Sequence, residues 1–330
     1  MTAWQAWKDR LLRNQWFFLL LVIIAVSAVT AAENPRYLKT SNIVGILEHI
    51  SVLGLVACGA TILIISGNFD ISVGAAMGLA ACIMAMLIKS GMPVFPAVLA
   101  GVGVAVLCAV FVGAVSVILG APSFIVSLAC IGIFMGISRA LTESTLQTVY
   151  GTFETLVETR FECWVLGFHI VLPLLFLIGL IGYVVVHVML TYTRLGRRVY
   201  SIGSNPRAAY LAGIGVHRNK LVFFALNGVF VGVAAALLLA RSETAGPRTG
   251  AGYELRAIGA VVIGGAPMSG GRGKIIGTFF GVLLMGVISS ALNMFRVDPN
   301  YQDIAFGLLI IAALAVSMLG RRRTGLGQAA

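Results

Sequence analysis

A chain of 330 residues that is 59% hydrophobic and 11% charged is not built for water, because soluble domains carry roughly a quarter charged residues. The net charge of +11 does not mark a nucleic-acid binder, since the cations gather at the two ends and in one central loop, the distribution of a positive-inside membrane protein. The apolar runs are continuous and Gly-rich rather than alternating, which selects helices over an outer-membrane barrel.

In chain order, ten apolar spans are expected, at about 16–32, 43–66, 70–89, 95–120, 124–142, 168–192, 221–241, 254–266, 275–295 and 301–320. Most are near the ~20 residues that cross a bilayer. The eighth is short and Gly-rich, which reads as a broken or partly inserted helix. The second and third are separated only by Gly67, Asn68 and Phe69, so a tight turn must join them. The cysteines Cys58, Cys82, Cys108, Cys130 and Cys163 form no CxxC pair. They read as small packing residues, with no metal.

Charge orients these spans. Lys8, Arg10 and Arg13 precede the first, and Arg321, Arg322 and Arg323 follow the last, so both termini are expected in the cytoplasm. The loop at 193–220 carries Arg194, Arg197, Arg198, Arg207, Arg218 and Lys220 without an acid and belongs on the same side. The loop at 143–167 holds Glu143, Glu154, Glu158 and Glu162 against Arg160 and belongs outside. The first span ends AVTAA, as a signal peptide would; an uncleaved first helix explains the orientation as well. The expected fold is an all-α membrane protein of about ten transmembrane helices, one domain over 1–330. Spans two to five and seven to ten are of similar length and offset by five crossings, as in an inverted-topology repeat.

Four constellations could carry chemistry. In SGNFDISVGAAMG, Ser66 to Gly78, Asp70 stands where one helix ends and the next begins. It is read either as a cap or as part of a gate whose turn Asn68, Asp70 and Gly74 shape. In GGAPMSGGRGKIIGTFFG, Gly264 to Gly281, the order GxxxxGK[ST] of a phosphate loop is missing. Gly270, Gly271 and Gly273 are read there as permitting close approach and a turn. Glu48, His49, Asn227, Ser289, Ser290, Asn293, Gln302 and Asp303 are polar groups within spans. Either they tie helices together or they line a solute path, with Glu48, His49, Asn227, Asn293 and Gln302 the candidates for the path. Last, Asn205 with Pro206 after it starts a short helix through Arg207, Ala208 and Ala209 that ends at Gly213. Its small-residue face fits docking better than anionic-lipid contact.

Together these residues resemble the permease subunit of ATP-binding-cassette importers of the ribose, xylose and autoinducer-2 class. In that family the early turn resembles GGIDLSVG, here GNFDISVG (Gly67 to Gly74), and the cytoplasmic segment resembles GxNxxAAxxxGI, here GSNPRAAYLAGI (Gly203 to Ile214). The late signature resembles GGxSxxGGxGxxxGTxxG, and its following Asn and Gln match Asn293 and Gln302. Asn68 departs from the pattern, as do Pro267 and Met268 at the usual Ser, Met294 after Asn293, and Gly320-Arg321 where an acid is usual. The resemblance implies a monosaccharide or polyol-like solute crossing the inner membrane, a second permease copy, a periplasmic solute-binding protein, and an ATPase subunit that holds ATP and Mg. It assigns Gly203, Asn205, Pro206, Arg207, Ala208, Ala209 and Gly213 to ATPase coupling. No cofactor, catalysis or nucleic acid is expected in this chain. A nucleoside or branched-chain amino-acid permease of the same class is the close alternative. An ion-coupled carrier would need more titratable groups at mid-bilayer than these spans hold.

Overall fold

The computed structural model describes residues 15–165 and 168–323. The helices are α1 (Gln15–Glu33), α2 (Thr40–Ile65), α3 (Val73–Lys89), α4 (Val94–Ile118), α5 (Ser123–Thr142), α6 (Glu154–Glu158), α7 (Leu174–Tyr192), α8 (Arg194–Ser204), α9 (Pro206–Leu211), α10 (Val216–Ser242), α11 (Tyr253–Ile263), α12 (Ile275–Met294) and α13 (Pro299–Arg323). Among the described residues, seven helices are long and apolar enough to cross a membrane: α1, α2, α4, α5, α7, α10 and α12. The chain is thus an all-α membrane protein. α3 is apolar but only 17 residues long. α11 has 11 residues, a rise of about 16 Å that covers roughly half a hydrocarbon core. Lys8, Arg10 and Arg13, on which the expected N-terminal orientation rests, lie outside the described residues.

One expected span begins late. Residues 168–192 were read as a single helix, but Phe168–Pro173 is a strand, β3, antiparallel to β2 (Arg160–Val165), and the helix starts at Leu174. Pro173 disfavours α geometry at Leu172 before it, and an apolar run shows no periodicity that separates strand from helix. A second small sheet pairs β1 (Gln147–Thr148) with β4 (Thr244–Ala245).

The core is built around α2, buried from Ile50 to Ser66, against α10. Small residues set the helix approaches, as expected where lipid removes most of the hydrophobic drive for association. Gly228 and Gly232 of α10 stand one turn apart on the face that meets α4. A Cβ at either would lie 2.6 Å from the Cα of Val106 or Val102. Gly277 and Gly281 of α12 face the carbonyls of Gly264 and Ala260 in the same way. Cys58, Cys82, Cys108 and Cys130 are buried packing residues.

Two helices give way to non-helical segments that join them to the next helix. After α2 the chain turns at Gly67 (φ 75°), and after α10 it turns at Glu243 (φ 53°). The segment 66–72 leads to α3, and 243–252 leads to α11. Gly74 and Gly250 meet backbone to backbone, so that a Cβ on either would run into the other's carbonyl oxygen.

Candidate functional site

The basic loop folds as two short helices. Thr193 caps α8, its Oγ1 accepting from Gly196 N at 3.1 Å. Asn205 caps α9, its Oδ1 accepting from Ala208 N at 3.0 Å, and Pro206 occupies the first turn, where its missing N–H costs nothing. At the far end Gly213 takes φ 80°. Gly213 N donates to Tyr210 O at 2.9 Å and Ile214 N to Ala209 O at 3.0 Å, the paired bonds of a Schellman stop. Both ends of a six-residue helix are therefore satisfied locally. Ala209 is buried, and Pro206, Arg207, Ala208, Tyr210 and Leu211 are exposed. Tyr210 at 69% and Leu211 at 80% exposure put two large apolar side chains on a charged surface, as a contact face requires.

Gly203 does not belong to that face. It is buried at the end of α8, where a Cβ would overlap Ile65 O and lie 2.8 Å from Gly271 N. Gly271 N donates to Ile65 O at 2.8 Å, so the last turn of α2 is capped by the Gly-rich loop and covered by Gly203. Gly270 (φ 76°) and Gly271 (φ 73°) hold the left-handed turns that bring this loop in. A Cβ at Gly270 would stand 3.0 Å from Gly203 O and from Gly67 Cα. Tyr200 Oη donates to Gly273 O at 2.8 Å. Burial raises the Tyr200 pKa above its ordinary value.

The segment after Gly67 is anchored almost atom by atom. Phe69 N donates to Ser123 Oγ at 3.0 Å and Ile71 N to Ser127 Oγ at 3.1 Å. Asp70 Oδ1 accepts from Ser72 N at 2.9 Å and Ser72 Oγ at 2.6 Å, and Oδ2 accepts from Asn227 Nδ2 at 3.1 Å. Asn68 Nδ2 donates to Ser66 O at 3.2 Å. Buried backbone donors in an irregular segment must be met in this way. Asn227, a path candidate by sequence, is fully buried against Asp70 and Gly59 and belongs with the turn. Gly74, grouped by sequence with the turn, instead meets Gly250 and Glu254.

The other path candidates fall in two places. Gln302 Nε2 donates to Asn293 Oδ1 at 2.8 Å and Val297 O at 3.0 Å, which closes the α12–α13 turn. Glu48 and His49 lie in the half of the bundle away from α8 and α9, among cations that sequence reasoning passed over. Glu48 Oε2 is 3.7 Å from Arg241 Nε, and the rings of His49 and Tyr253 are 6.4 Å apart. Arg256 Nη2 is 2.9 Å from Asp303 Oδ1, with its guanidinium 4.9 Å from the Phe306 ring centroid. The available signal was a charge inside an apolar span, a functional flag by default. Ser72, Ser123 and Ser127 were also missed; the last two recur at helical spacing on an apolar helix.

The comparisons agree with the motifs. The family model of the branched-chain amino acid transport system / permease component matches residues 42–314. The ribose import permease protein RbsC of Bacillus subtilis (strain 168) is 33% identical, over 93% of this chain and 91% of its own. The D-allose transport system permease protein AlsC of Escherichia coli (strain K12) is 34% identical, over 92% and 90%. The galactose/methyl galactoside import permease protein MglC of the same strain is 30% identical, over 91% and 93%. No solved structure matches the chain.

Proposed function

The chain belongs to the family of branched-chain amino acid transport system permease components, and from that premise we propose that it is the membrane subunit of an ATP-driven importer of a monosaccharide. The ribose, allose and galactose permeases among its relatives, each matched over nine-tenths of its length, favour a sugar over the amino acid in the family's description. One observation carries the coupling role: the capped helix Pro206–Leu211 with Tyr210 and Leu211 exposed beside Arg207. An ATPase subunit docks there, and its nucleotide cycle drives the bundle between two states of different solute affinity. A binding protein delivers the solute on the opposite side, and a second permease copy completes the unit. Both termini and the 193–220 loop face the cytoplasm.

The chain makes ten crossings, with α3 and α11 each completing a path that a non-helical segment begins. Two halves of inverted topology accompany them. α2 and α10 are the long leading helices, and each is followed by a left-handed residue, a non-helical segment and a shorter helix. Gly74 follows Ser66 by as many residues as Gly250 follows Ser242, and these two glycines touch, as residues on a shared two-fold axis do. Glu48, His49, Arg241, Tyr253, Arg256 and Asp303 form the entry side of the solute path.

The test is uptake of radiolabelled ribose, allose and galactose by proteoliposomes holding the permease, its ATPase and its binding protein. Uptake should require ATP. It should fall sharply in Arg207→Glu, while the variant stays in the membrane. Sugar uptake by the permease alone, without the ATPase, would overturn the assignment.

A further inference from the structure

Three stretches far apart in sequence converge at the α8–α9 end of the bundle: Ile65–Gly67, Gly203–Ser204 and Gly270–Gly273. They meet main chain to main chain. Gly271 N caps Ile65 O at 2.8 Å, and Gly203 presses on that bond so closely that a Cβ there would overlap the Ile65 oxygen. A Cβ at Gly271 would in turn lie 2.6 Å from Ser204 Oγ. Tyr200, one turn earlier on α8, holds Gly273 O at 2.8 Å.

We propose that this glycine junction is the point at which displacement of the docking segment is handed to the bundle, with Gly203 and Tyr200 as positioning residues for coupling. The inference rests on the importer reading and adds where within the chain the motion divides. Backbone packed on backbone leaves no side chain to flex, so α8 cannot shift without moving the end of α2 and the 264–274 loop. From Ile65 the displacement passes through the turn at Gly67 to Asp70 and its bond to Asn227 on α10. From Gly273 it passes to α12, whose first turn begins at Ile275. One input thus reaches both halves of the molecule. The docking face and the junction are separate surfaces: Arg207, Tyr210 and Leu211 are exposed, and Gly203 is buried.

The experiment compares Gly203→Ala, Tyr200→Phe and Gly215→Ala in the complete complex, reconstituted with its ATPase and binding protein. Gly215 lies in the same loop with φ −68° and nothing within 4 Å of its would-be Cβ, so it reports on the substitution alone. In Gly203→Ala, sugar transported per ATP hydrolysed should fall about tenfold, an ordinary size for a coupling effect, with ATPase co-purification and basal hydrolysis unchanged. Tyr200→Phe keeps the ring and loses one hydrogen bond; it should lower the same ratio several-fold and decides the matter if Gly203→Ala does not accumulate. Gly215→Ala should match the wild type. Wild-type stoichiometry in both junction variants overturns the inference while leaving the importer intact, and so does loss of ATPase co-purification in Gly203→Ala. A wild-type complex that takes up no sugar with ATP overturns the importer reading itself.

Discussion

Replacing Asp70 tests whether the segment 66–72 is held by hydrogen-bond geometry. Asp70 accepts from Ser72 N, Ser72 Oγ and Asn227 Nδ2 at 2.9, 2.6 and 3.1 Å. In Asp70→Ala the Ser72 hydroxyl can turn to another acceptor, but two N–H donors stay buried and bare. Each costs about 1–3 kcal/mol in a protein interior. Inter-helix polar contacts in membranes run lower, about 0.6 kcal/mol on average, so the expected loss is about 2–4 kcal/mol. Asp70→Asn should behave differently. Asn227 Oδ1 is buried without a partner, so rotating the Asn227 amide offers an acceptor to the new NH₂ while Ser72 keeps its own. That variant should stay within about 1 kcal/mol of wild type. The assay is reversible unfolding in mixed micelles by SDS titration, followed by circular dichroism. The reasoning fails if Asp70→Ala unfolds with the wild type. It also fails if Asp70→Asn is as damaged as Asp70→Ala, because the charge rather than the donor pattern would then hold the segment.

Two further outcomes follow from packing and from the opposite half. Gly277→Leu should part α11 from α12 and cost about 1–3 kcal/mol in the same titration, because its Cβ would overlap Gly264 O. Gly136→Leu, with nothing within 4 Å, should leave stability unchanged. Asp303→Asn should leave the melting temperature nearly unmoved, since Asp303 is 72% exposed and such pairs contribute about 0–1 kcal/mol. If Arg256 lies on the solute path, the same change should raise the uptake KM several-fold at unchanged Vmax; an unaltered KM would remove Asp303 from the path.

What the sequence disclosed and what it withheld divide along one physical line. Local signals were legible. Asn205-Pro206 announced a helix start, Gly213 its stop, and the Gly-rich eighth span its shortness, because each depends on backbone chemistry within a few residues. The hairpin at 160–173 was not legible, since the short, largely apolar run Phe168 to Leu172 carries no periodicity that separates strand from helix. Partnerships across the bundle were hidden for a different reason. Asp70 could be seen to need donors, but nothing near it named Asn227, and Ser123 and Ser127 look idle until the segment 66–72 is laid against them. Arg241 and Arg256 were passed over, and their pairing with Glu48 and Asp303 emerges only from helix packing. The glycines show the distinction most clearly. Gly203 was grouped with the docking helix because the family motif GSNPRAAYLAGI begins with it, yet its missing side chain answers to Ile65 and Gly271. The three glycine-bearing motifs look like separate family signatures along the chain. In space Gly67, Gly203 and Gly270 fill one junction, so a change in any of them should be felt by the other two.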